Sequence, residues 1–135
     1  MSAPPSLRRR WLLGAAAFTA VSLRSFGLDA AVRCQNHFDC TRKKLLSLLD
    51  EPQRARMVGR TYLESSIARV APPAELVETV LAETGPDAGI EAISRYMAER
   101  IHRELENVEV ISLDGWIMSS TEAQLCGLAA LDIMA

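Results

Sequence analysis

Aromatic side chains are scarce: two Trp, two Tyr and three Phe make up 5% of the 135 residues. A surface on which nucleobases stack in succession is thereby excluded. A large excess of either charge is missing too. With 15 basic and 17 acidic side chains the net charge is −2, so the chain carries no basic footprint for nucleic acid. The seven glycines are scattered and build neither a phosphate-cradling loop nor a nucleophile elbow. The acidic residues show no calcium-loop spacing. No repeat of domain-building period is present. The main apolar run, Trp11–Leu23, holds 13 residues. At about 1.5 Å per residue it spans roughly 20 Å as a helix, short of the roughly 30 Å hydrocarbon core. What remains is the composition of one small globular domain: 49% hydrophobic and 24% charged.

Charge is unevenly placed. Residues 1–30 hold four arginines and one acid, whereas residues 31–135 hold 11 basic and 16 acidic side chains. Arg8, Arg9 and Arg10 stand directly before the apolar run. A basic stretch followed by a short apolar one is the layout of an export signal. Leu7-Arg8-Arg9-Arg10-Trp11-Leu12 resembles the twin-arginine (Tat) signal: Arg8 and Arg9, one free position, then Trp11 and Leu12. The apolar run is rich in Ala and Gly, and Arg24 after it is similar to the basic residue that keeps such signals off the general secretion route. The resemblance implies export of a folded protein by the Tat translocase into the periplasm. Leu28-Asp29-Ala30 is an imperfect cleavage match. Both fates stay open: removal, or retention as an inner-membrane anchor with membrane contact through residues 8–26. The division expected is therefore a signal over 1–30 and one domain over 31–135.

That domain reads as mainly α: four to five helices after the signal helix, with a short β-hairpin before the last. The apolar spacing predicts a helix over about 38–49. Asp50 or Glu51 then caps a second helix, which Pro52 opens and which runs through residue 68. Gly59 inside it costs about 1 kcal/mol relative to Ala, and a close helix crossing is the reason expected for it. Pro72-Pro73 opens a third helix with Leu76, Val77, Val80 and Leu81 inward. Asp87 is the expected cap of the longest helix, 88–106, whose stripe is Ile90, Ile93, Met97, Ile101 and Leu105. Glu91, Arg95, Glu99, Arg103 and Glu106 form its solvated face. Val108–Leu113, the Asp114-Gly115 turn and Trp116–Met118 read as the hairpin. Ser119-Ser120-Thr121-Glu122 reads as a capping box before a mostly apolar last helix.

Few residues offer chemistry. Cys34 and Cys40 suit a disulfide in an oxidising compartment, or remain free thiols. The bridge would close a loop of about seven residues, worth about 2–3 kcal/mol by loop-closure entropy. With His37 the pair offers three metal ligands, but not at standard zinc spacing, and no second pair follows. Cys126 sits in an apolar run and His102 at the edge of a helix stripe. The reading is no catalytic residue, no cofactor and no metal. Two roles for Trp116 and Met118 stay open: anchors of the hairpin, or the centre of a partner-docking surface.

The segment Asp114-Gly115-Trp116 through Ser119, Thr121-Glu122-Ala123, Leu125-Cys126 and Leu128 resembles small Tat-signal proteins of Proteobacteria that share a DGWxxSxTEAxLCxL ending. Val58-Gly59-Arg60-Thr61-Tyr62-Leu63 is similar to a second stretch of that group. In layout the chain is also similar to the small subunits of periplasmic sugar and gluconate dehydrogenases. That likeness implies a non-catalytic accessory or small subunit that assembles with a larger periplasmic oxidoreductase and helps to export it. The competing expectation is a free-standing periplasmic or membrane-anchored binding or stress protein.

Overall fold

The computed structural model describes residues 34–134. The expected signal, with Arg8, Arg9, Trp11 and Leu12, lies outside the described residues. Six helical segments and one hairpin follow in order: α1 His37–Leu46, α2 Pro52–Glu64, α3 Ile67–Val70, α4 Pro73–Thr84, α5 Ile90–Glu106, β1 Val110–Leu113, β2 Trp116–Ser119 and α6 Ser120–Met134. This is the helical domain with a hairpin before the last helix that the pattern predicts. Among the described residues no helix is long and apolar enough to cross a membrane.

The last helix is the axis of the fold. Every residue from 121 to 130 is buried, and α2, α4, α5 and the hairpin all pack on it, α2 most extensively. Small side chains make that possible. Ala123, Cys126, Gly127, Ala129 and Ala130 let neighbouring backbones approach on several sides. At the α2–α6 crossing a β-carbon on Gly59 would overlap the Cys126 carbonyl and stand 3.0 Å from the Ala130 β-carbon. A β-carbon on Gly127 would lie 2.9 Å from both the Tyr62 ring and Pro73. Around this crossing Leu45, Leu48, Leu76, Val77, Val80, Ile93 and Met97 close the core.

Boundaries differ from the sequence reading in four places, each with a local cause. The first helix starts at His37, because the Asn36 side chain accepts from the Asp39 amide at 2.8 Å and caps it. It ends at Leu46, and Leu48 and Leu49 are buried from turns instead. The second helix stops at Glu64 instead of 68. Ser65 turns extended, and its hydroxyl donates to the Tyr62 carbonyl at 2.6 Å, the competition with helix that serine offers. Residues 67–70 then form the separate turn α3. The long helix starts at Ile90, with Gly89 in extended backbone before it. Asp87 is exposed and does not cap it. Near its end Glu104 is buried and Leu105 only half-buried.

The hairpin forms as its turn residues require. Asp114 and Gly115 both have positive φ, 50° and 84°, the left-handed pair of a type I′ turn that matches strand twist. The antiparallel register sets Leu113 opposite Trp116 and Ile111 opposite Met118. The capping box closes reciprocally: the Glu122 amide donates to Ser119 Oγ at 3.1 Å, and the Ser119 amide donates to Glu122 Oε1 at 3.2 Å.

Candidate docking site

Trp116 follows the turn directly and begins β2. Residues 116 and 118 share one face of a strand. Deep in the hairpin that face meets the core, and Met118 is 0% exposed. Met118 is therefore a core residue. A partner cannot reach it in this fold, which corrects its expected part in docking. At the hairpin tip the same face runs out of core, and Trp116 remains half-buried, packed against the cluster on one side.

Helix α2 supplies the opposite wall. Arg54, Met57, Val58 and Thr61 lie at helical spacing and, with Leu113, Asp114 and Trp116, line a groove of about 370 Å³. Met57 is 66% exposed. A neighbouring hollow of about 640 Å³ is lined by Glu51, Pro52, Gln53, Arg54, Arg56 and Met57. The two hollows adjoin across Arg54 and Met57. Arg54 is 3.6 Å from Glu51. The groove thus has an apolar floor, with Arg54 on the helix side and Asp114 at the turn.

The remaining candidate residues are dispersed. Cys34 and Cys40 are joined by a disulfide, with α-carbons 5.1 Å apart, just ahead of and within the first turn of α1. His37 is exposed in that turn. His102 stands on the outer face of α5, 2.6 Å from Glu106. Cys126 is buried, and burial first, then the Glu122 charge, pushes its thiol pKa far up. It is a packed thiol, without the thiolate a nucleophile needs. Among the described residues no group of three or more His, Cys, Asp and Glu is placed to hold a metal ion.

A polar cluster that the sequence reading missed lies where α5 meets the start of α6. Glu104 accepts from the Thr121 amide at 2.9 Å and from its hydroxyl at 2.5 Å. Arg100 Nε donates to Thr121 Oγ1 at 2.8 Å and lies 3.3 Å from Glu104 Oε2. Arg100 also donates to the Tyr96 hydroxyl at 3.1 Å. A carboxylate facing the first amides of α6 also suits its helix dipole. Tyr96, Arg100 and Glu104 recur at i, i+4 and i+8, a spacing visible in the sequence. Its partner Thr121 is not. These groups satisfy one another and hold two helices together.

No family model, no curated protein and no solved structure matches this chain.

Proposed function

We propose that this chain is an exported, non-catalytic accessory protein that docks a larger periplasmic redox enzyme through the Trp116 groove and accompanies it through the Tat translocase. The observation that carries the docking part is the pairing of half-buried Trp116 with exposed Met57 across a concave, apolar-floored groove. Trp and Met are enriched at interface centres, and a Trp already held on one side by the core loses little freedom on binding. The export part rests on the Leu7–Leu12 spelling and the apolar run after it. Tat carries folded cargo, so a subunit that bears the signal can export a partner assembled on it before transport.

The test is gentle affinity purification of the C-terminally tagged full chain from its native cell envelope, with a visible spectrum of the eluate. A larger, coloured, stoichiometric partner that is lost on Trp116→Ser supports the reading. A colourless monomer of mature mass overturns it and leaves the free-standing binding protein.

A further inference from the structure

Cys34 and Cys40 bridge a turn that hydrogen bonds already shape. The Asn36 side chain accepts from the Asp39 amide at 2.8 Å, and Asp39 Oδ2 accepts from the Gln35 amide at 3.1 Å. The Cys40 amide donates to the Asn36 carbonyl at 2.9 Å. These bonds fold residue 34 back over the first turn of α1, with its α-carbon 5.1 Å from that of Cys40, within bridging distance. The turn also stands outside the core. Residues 34–37 are exposed and Cys40 is half-buried, whereas the buried cluster begins at Leu45, with Phe38 packed against it. Folding of the core therefore does not wait for the bridge. Yet the turn leads to the core's axis. Asp39 pairs with Arg42 at 2.7 Å, and Arg42 reaches Asp132 near the end of α6. Hydrogen bonds at exposed positions open locally at little cost, so the unbridged turn frays, and with it the first link of that chain.

We infer that the Cys34–Cys40 bridge is a latch, closed on the already folded domain by exchange with an oxidant disulfide, with Cys34 as the sulfur of entry. Exposure sets the order, because exchange needs access to the attacking sulfur. The Cys34 thiolate attacks the oxidant's disulfide, and one oxidant sulfur leaves as a thiolate. The half-buried Cys40, its proton passed to water, then displaces the other. The Cys34–Cys40 bond forms, the oxidant's bond breaks, and an electron pair passes from the cysteines to the oxidant, which leaves reduced. Cys126, buried in α6, takes no part. Closure after export rests on the export reading above, since a Tat cargo folds where thiols are kept reduced and meets oxidants beyond. The order of exchange does not rest on it.

The experiment starts from the purified full chain, reduced with dithiothreitol under native conditions. The circular dichroism is expected to stay unchanged and Cys126 to stay unlabelled. The Asp39 and Cys40 amides are expected to exchange hydrogen faster than in the bridged chain. Oxidised glutathione then closes the bridge, and acid-quenched samples are mapped by mass spectrometry. The expected intermediate carries glutathione on Cys34, and Cys40→Ser accumulates it there. Collapse of helicity on reduction, equal amide exchange in the two states, or glutathione found first on Cys40 overturns the inference. In cells, thiols are trapped by acid in the parent and in the Arg8→Lys, Arg9→Lys double variant. A bridge confined to the parent supports closure after export. A bridge formed equally in both removes the export reading, while the glutathione mapping judges the latch separately.

Discussion

The α-carbon of Gly59 faces the carbonyl of Cys126 so closely that no β-carbon fits between α2 and α6. Gly59→Ala therefore destabilises the domain, although alanine is the better helix former by about 1 kcal/mol. The overlap is with backbone, which no rotamer change relieves. The expected loss is about 2–3 kcal/mol, at the upper end of overpacking costs. Urea unfolding followed by circular dichroism measures it, and a variant as stable as the parent would contradict the crossing.

Glu104 and Thr121 tie α5 to the first turn of α6. Glu104→Ala leaves the Thr121 amide without this acceptor and Arg100 without its carboxylate in a largely buried place. Breaking a buried pair in this way costs about 3–5 kcal/mol. Glu104→Gln keeps an acceptor for the amide, so its cost is smaller. Equal stabilities of the two variants in a denaturant titration would show that the carboxamide restores nothing.

Val108 holds φ at 57° with 76% of its surface exposed. It follows the end of α5, where its amide donates to the Leu105 carbonyl at 3.2 Å. A β-branched side chain in the left-handed region is strained by about 1–2 kcal/mol. Val108→Gly relieves that strain and stabilises the domain by about 1 kcal/mol. A lower thermal midpoint in the variant would refute the assignment.

The cysteines give a countable outcome. With Cys34 bonded to Cys40 and Cys126 buried, the native protein is silent toward a thiol reagent. Denatured without reductant, one of its three cysteines reacts, and all three react after reduction. Rapid labelling under native conditions would place Cys126 at the surface.

Asp39 shapes the acid limb of stability. Its hydrogen bond from Arg42, partly opposed by burial, holds its pKa below the ordinary 3.8. Above 3.8 the carboxylate is ionised in both folded and unfolded chains, and its contribution is fully present. As pH falls, the unfolded chain takes up the proton first, and the contribution disappears as pH passes down through the lower folded value. Asp39→Asn removes that dependence, so its stability falls less steeply below about pH 4. Parallel slopes for parent and variant would exclude the effect.

Most of the fold is legible in one dimension because its signals are local. The Asp114-Gly115 turn, the Ser119–Glu122 capping box and the inward stripe from Ile90 to Ile101 act between residues a few positions apart. Gly59 is legible too, since a glycine inside an apolar helix pattern calls for a close neighbour. The breaks at Ser65 and Gly89 are less so. A helix end there turns on which of two competing hydrogen bonds forms, and nearby packing decides it.

The candidate site divides in the same way. Trp116 and Met118 look alike in the sequence, an aromatic and a thioether two places apart on one strand face. Only the depth of the hairpin separates them, enclosing Met118 and leaving Trp116 at the edge of a groove. Nothing in the order of residues brings Met57 to Trp116, or Glu104 to Thr121. Those pairings arise when α6, small-sided enough to be buried on several faces, draws α2 and α5 onto it. Local spacing sets helix, turn and cap because hydrogen bonds and rotamers act over a few residues. Which side chains then line a surface depends on burial, and burial is settled only when distant elements pack.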